Sequence, residues 1–201
     1  MKLYTHPRSP FARKVMMFAH IHGIKLEAHV VGDPDAKHGY TNGDNPLGKI
    51  PALEWQPGQF LFDSPVICEH LDNLSANPLL PKDAATRFKQ MHLHALVDGL
   101  GEANMHLMFE RLRPKHLHWD EIINRHEAAI KQTVLRLETM TEDLGDDWSY
   151  GNIGLVAVLD FLTFRATTLK WREIAPKLAR WHAGFMDKPA YQETFGYGVE
   201  L

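Results

Sequence analysis

The first third of the chain alternates short apolar runs with stretches of helical period. Lys2 to Tyr4 reads as a short strand feeding a helix from Ser9 to His22, in which Phe11, Val15, Phe18, Ala19 and His22 recur at three- and four-residue spacing. Ser9 followed by Pro10 is a helix opening: the serine caps, and the proline has no N–H to lose in the first turn. Gly23 supplies the stop. Leu26 to Val31 reads as a second strand, and Gly32 to Asp44 as a loop with room for a short helix. Ala52 to Trp55 and Phe60 to Phe62 flank Gln56-Pro57-Gly58-Gln59, whose proline and glycine suit a hairpin, so these strands should pair antiparallel. Asp63-Ser64-Pro65 repeats the cap-then-proline device and opens a helix through Leu74, with Val66, Ile67, His70, Leu71 and Leu74 expected on its inner side.

Ala76 to Asp83, A-N-P-L-L-P-K-D, carries two prolines and ends in a candidate cap, which predicts a linker over residues 76–83. Residues 1–75 then form an α/β domain, and residues 84–201 an all-helical one. A long helix is predicted from Ala84 to Arg113, bent near Gly99 and Gly101 and ended by Pro114. From Trp119 to Leu144 the residues Ile123, Ile130, Val134, Leu137 and Leu144 make a continuous stripe. Asn152 to Leu169 reads as a helix apolar all round, hence buried, and Ile174 to Met186 as a further amphipathic one.

Composition narrows the function classes. A formal charge of −3 gives no reason to expect nucleic acid or an anionic membrane as partner, so the expected ligand is a small molecule. Cys68 is the only cysteine, which excludes an intrachain disulfide, and the start of the chain has no leader pattern; a reducing cytoplasm is expected. The most apolar run, Ile153 to Phe164, is interrupted by Asp160 and is too short to span a bilayer. The 13 histidines invite a metal reading, but His92-x-His94 and His116-x-His118 are spaced i,i+2, which sends side chains to different helix faces; no metal is expected.

Three stretches carry candidate chemistry. The loop Thr5 to Arg8 delivers Ser9 to a helix mouth, where unpaired amides and the helix dipole favour an anion. In Asn45 to Leu53, N-P-L-G-K-I-P-A-L, a cis Pro51 would leave the amide and carbonyl of Ile50 facing outward to pair with a peptide backbone; the plainer reading is a trans proline starting an edge strand. Asp63 and Ser64 form a second helix mouth, suited to a carboxylate at Ser64 and an ammonium at Asp63, or else to structural capping alone.

S-P-F-A-R-K-V, then N-P-L-G-K-I-P-A-L, then D-S-P-V-I-C-E-H-L, followed by a proline-bearing linker and a helical remainder, resembles the glutathione S-transferase family over the entire chain, in particular its small bacterial members. The resemblance implies a thioredoxin-like first domain, a helical second domain, a homodimer, and glutathione as co-substrate. It implies that Ser9 hydrogen-bonds the glutathione sulfur with Phe11 beside it, and that Ile50 and Pro51 engage the tripeptide's cysteine backbone. Asp63 and Ser64 would hold the γ-glutamyl end, Lys49 and His38 would lie near the glycyl carboxylate, and Asp98 would reach the partner subunit's γ-glutamyl ammonium. Met105, Met108 and Phe109 would border the pocket of a small hydrophobic electrophile. Two departures stand out. Related helices open with serine or threonine and an aspartate three positions later, whereas Asn152 is followed by Leu155, so an incomplete cap is expected there. The active loop also lacks a cysteine, and a serine hydroxyl cannot form the mixed disulfides of thiol transferases, while Cys68 reads as a core thiol. The implied activity is transfer of glutathione to an electrophile. The alternatives are a glutathione-binding or structural protein with little catalysis, or a glutathione-dependent isomerase or dehalogenase.

Overall fold

The computed structural model describes residues 1–32, 45–165 and 169–196. Strand β1 (Lys2–Thr5) leads into helix α1 (Pro10–Ile21), strand β2 (Glu27–Val30), the hairpin β3 (Ala52–Gln56) and β4 (Gln59–Leu61), and helix α2 (Ser64–Leu74). The four strands form one mixed sheet in the order β2-β1-β3-β4. β1 runs parallel to β2 and antiparallel to β3, and β3 runs antiparallel to β4. Gly58 takes the hairpin's left-handed position at φ +72°, and its N–H donates to Glu54 Oε1 at 3.0 Å.

Register decides where the loops go. Tyr4, near the end of β1, faces Ala52, the first residue of β3, and Leu61, the last of β4, faces Leu53. The exit of β1, the entry of β3 and the exit of β4 therefore share one end of the sheet. The segment before α1, the Ile50-Pro51 bond and the mouth of α2 are all delivered to that end.

The helical part comprises α3 (Ala84–Leu112), α4 (Asp120–Met140), α5 (Tyr150–Arg165), α6 (Trp171–Ile174), α7 (Pro176–Ala183) and α8 (Pro189–Gln192), with 3-10 turns at Lys115–Leu117 and Thr141–Asp143. The chain divides into two compact units, one running from Met1 to Arg87 and taking in the segment from Lys188 onward, the other from Phe88 to Asp187. The return of the last segment to the first unit has no signature in the pattern along the chain. In the first unit Leu3, Val15, Phe18, Ala52, Leu53, Ile67 and Leu71 are buried; in the second, α5 is buried from Tyr150 to Leu162, with Val97, Leu100, Ile130, Val134 and Leu137 also in the core.

Two local expectations are corrected. On α2 the buried face is Ile67, Cys68, Leu71 and Asp72, while Val66 and Leu74 are exposed. Asp72 turns inward because its carboxylate is occupied: Oδ1 lies 2.9 Å from His22 Nε2 and accepts the Leu79 N–H at 2.7 Å, and Oδ2 accepts the Leu80 N–H at 2.9 Å. The cap of α5 is complete and lies three residues earlier than expected. Ser149 Oγ accepts the Asn152 N–H at 3.3 Å, and Asn152 Oδ1 accepts the Ser149 N–H at 2.8 Å. The Asn152 Nδ2 donates to the carbonyls of Leu144 and Asp147 at 3.2 and 2.7 Å, so asparagine fills the reciprocal position and ties down the preceding turn as well.

Candidate functional site

At the shared sheet end Ser9 is the N-cap of α1, with extended backbone (φ −88°, ψ 117°) and 8% of its surface exposed. Its Oγ accepts the Ala12 N–H at 3.2 Å. That bond uses a lone pair and leaves the hydroxyl hydrogen to donate. The loop before it is tightly tied, since the Ser9 N–H donates to the His6 carbonyl at 2.9 Å and the Arg8 N–H to His6 Nδ1 at 3.2 Å. Phe11 is half-buried on the first turn, with the Lys14 ammonium 5.8 Å from its ring.

The Ile50-Pro51 bond is cis. Asn45 prepares it: this buried side chain accepts the Leu47 N–H at 2.9 Å and donates to the Lys49 carbonyl at 2.8 Å, while Gly48, at φ +60°, donates its N–H to the Asn45 carbonyl at 2.9 Å. Asparagine at the head of N-P-L-G is the side chain that makes such a turn, and this was the signal overlooked in the sequence. Ile50 and Pro51 are buried and Lys49 is exposed. Among the described residues no hydrogen bond ties the Ile50 N–H or C=O back to the chain. His38 lies outside the described residues.

At the mouth of α2 the helix begins at Ser64, so the cap position falls to Asp63 rather than to the serine. The preceding Phe62-Asp63 bond is also cis, which nothing in the sequence announced. Asp63 is exposed and makes no side-chain capping bond, and Ser64 is buried. With Pro65 lacking an N–H, the first-turn amides of Ser64 and Val66 are left uncapped, an arrangement suited to a carboxylate. The two mouths thus differ: α1 spends one amide on its serine, while α2 spends none.

In the second unit, Asp98 is engaged on its own helix by His94, whose Nε2 lies 3.3 Å from Asp98 Oδ2 and whose ring stacks on Tyr150 at 5.0 Å. Met105 is half-buried, Met108 buried and Phe109 42% exposed. None of the three lines a cleft of about 330 Å³ in that unit, which is formed by Leu107 of α3, five residues of α4 from Asn124 to Lys131, and Leu169. Cys68 is fully buried. Among the described residues no group of three or more His, Cys, Asp or Glu is placed to hold a metal ion, and no helix is long and apolar enough to cross a membrane.

A mixed four-stranded sheet of this order, with a helix after β1, a cis proline at the entry of β3 and a helix after β4, is a thioredoxin-like fold. Comparison with known proteins carries this to a family. The family model for the glutathione S-transferase N-terminal domain matches residues 8–74. A glutathione transferase family member from Pseudomonas fluorescens Pf-5, solved with bound glutathione, is 33% identical with a TM-score of 0.87, over 96% of this chain and 97% of that one. A glutathione S-transferase from Methylobacillus flagellatus KT, solved with glutathione bound, is 29% identical with a TM-score of 0.87, over 96% and 98%. The uncharacterized GST-like protein YibF of Escherichia coli K12 is 27% identical over 96% of this chain and 98% of its own length. The chain belongs to the glutathione S-transferase family.

Proposed function

We propose that this protein is a glutathione transferase that holds glutathione at the shared sheet end and activates its thiol at Ser9 for attack on a small hydrophobic electrophile. The observation that carries this reading is the Ser9 hydroxyl, which keeps its hydrogen at the mouth of a 12-residue helix. A free thiol ionises near a pKa of about 8.5, and a hydrogen-bond donor together with the positive end of a helix favours the thiolate. The thiolate then forms a sulfur–carbon bond with the electrophile, which releases its leaving group with the bonding pair, or takes up a proton where the reaction is an addition.

The remaining residues bind and orient. The Ile50 N–H and C=O pair with the cysteinyl backbone of the tripeptide, held outward by Pro51. Ser64 and the uncapped amides of α2 receive the γ-glutamyl carboxylate, and Asp63 the adjacent ammonium. Lys49 receives the glycyl carboxylate, and Phe11 packs beside the thiol. Met105, Met108 and Phe109 border the electrophile. The bound glutathione of the two solved relatives supports this ligand. The reading includes a cytoplasmic homodimer in which Asp98 serves the partner subunit's glutathione; a monomer by light scattering removes that role for Asp98.

Ser9→Ala is expected to cut turnover roughly tenfold to a hundredfold, less than the roughly hundredfold to thousandfold that loss of one oxyanion-hole donor costs, because the helix mouth still favours the thiolate. Equal turnover of wild type and variant on a panel of aryl halides, enones and peroxides rules out Ser9 as the activating group. A second reading, glutathione binding without efficient turnover, is favoured by the Ile50 backbone, unpaired among the described residues, and the uncapped α2 mouth, which would hold the tripeptide without any donation from Ser9. Calorimetric binding of glutathione with no turnover across the panel would select it.

A further inference from the structure

The segment from Lys188 to Gly196 packs back along α1. Arg13, one turn beyond Ser9, is 2% exposed, and its guanidinium lies 4.6 Å from the ring of Tyr191 and 5.0 Å from that of Phe195. Its Nη2 donates to the Tyr191 carbonyl at 3.4 Å. The backbone N–H of the same arginine donates to the Ser9 carbonyl at 3.0 Å, so the residue gripped by the segment also closes the first turn from Ser9.

Gly196 meets the active loop itself. A Cβ built on it would lie 2.6 Å from the Pro7 carbonyl oxygen and 3.0 Å from the Pro7 Cβ. Pro7 sits between His6 and Ser9, which are tied across it by the 2.9 Å bond from the Ser9 N–H to the His6 carbonyl. A displacement of Pro7 is therefore passed to Ser9 rather than absorbed. At the other end of α1, His20 Nδ1 lies 3.3 Å from the Glu193 carboxylate, and Thr194 Oγ1 donates to the Ala190 carbonyl at 2.7 Å, so the segment is anchored and holds its own shape.

We propose that the segment Lys188–Gly196 is a positioning element for the Ser9 hydroxyl, with Arg13 the residue it grips and Gly196 the residue whose missing side chain lets it close on Pro7. Its catalytic consequence rests on the reading of Ser9 given above. The Ser9 to Ala12 hydrogen bond reports the loop independently of any ligand, which separates the two ideas.

In Gly196→Ala, made in the full chain, either Pro7 or the segment must give way by several tenths of an ångström. The expected results are faster exchange of the Ala12 amide, a rise in the apparent pKa of bound glutathione's thiol toward its free value in a thiolate absorbance titration, and a fall in kcat of about tenfold. The last figure is a fraction of the hundredfold that a 1 Å misplacement can cost. Glutathione affinity by calorimetry should stay near that of wild type, because Ile50 and the α2 mouth are untouched. Phe195→Ala, at a half-exposed position, removes one ring from the guanidinium and should act in the same direction and more weakly. Gly99→Ala, where a Cβ would meet nothing within 4 Å, is the control. Wild-type Ala12 exchange in both Gly196→Ala and Phe195→Ala overturns the proposal. Altered Ala12 exchange in a protein that binds no glutathione upholds the positioning role and sinks the glutathione reading instead. Altered exchange with wild-type thiol pKa and kcat overturns the link from the segment to catalysis.

Discussion

Replacing Asp72 tests the buried junction that joins the end of α1 and the last turn of α2 to the segment after α2. The side chains of Asp72 and His22 are 1% and 2% exposed, so water does not take over either role when the other is lost. In Asp72→Ala the Leu80 N–H is left in a buried position, the Leu79 N–H in a part-buried one, and the His22 ring loses its partner. Each buried unsatisfied group costs about 1–3 kcal/mol, and breaking a buried pair by removing one partner costs about 3–5 kcal/mol, which sets the expected loss at about 3–5 kcal/mol. Asp72→Asn is the sharper test. With its oxygen at the Oδ1 position it keeps His22 and Leu79, but its amide hydrogens then face the Leu80 N–H, so only one bond is lost and the cost falls to about 1–3 kcal/mol. Urea unfolding followed by circular dichroism and by fluorescence, with an unchanged m-value, gives the two differences, and exchange of the Leu80 amide locates the damage. A loss below about 1 kcal/mol for Asp72→Ala, or equal losses for the two variants, would refute the argument that both carboxylate oxygens are used.

Asn152→Ala removes the acceptor for the Ser149 N–H and the donors to Leu144 and Asp147, and should cost about 2–4 kcal/mol in chemical denaturation. Asn152→Asp restores the cap alone and should fall between that variant and wild type. His126 has its pKa lowered by desolvation, then by His106 and Arg125, with the His106 ring 5.3 Å away. Between the lowered folded value and the unfolded value near 6.5, the unfolded chain binds more protons, so this site's contribution to stability is lost as pH falls through that window. The proton resonances of the His126 ring should titrate below the ordinary histidine range, and His106→Gln should raise the midpoint only in part, because desolvation is the larger cause.

The α/β character of the first 75 residues and the antiparallel hairpin could be read in the sequence because each rests on local chemistry: caps before proline, glycine in the turn, short apolar runs and helical spacing. Ser9 as the cap of α1 was legible for the same reason. The mouth of α2 was placed one residue late because D-S-P offers two capping side chains in a row, and only the backbone decides between them. Asn152 was read three residues out of register because Ser149, its partner, was assigned to the preceding loop. Val66 and Leu74 were turned inward by their hydrophobicity, whereas the helix is rotated so that Asp72 meets His22, 50 residues earlier in the chain. Such pairings at long separation leave no periodicity to detect. The return of the segment after Lys188 is invisible on the same ground, since its partners Pro7, Arg13 and His20 lie at the far end of the chain.

That return carries a kinetic cost during synthesis. About a hundred residues separate Arg87 from Lys188, so a ribosome adding about 5–20 residues per second makes the amino-terminal unit wait roughly 5–20 s for the piece that covers the Arg13 side. Of the two units, the one begun first is thus completed second, and until then a helix destined for the interior stands open to chaperones and to neighbouring nascent chains.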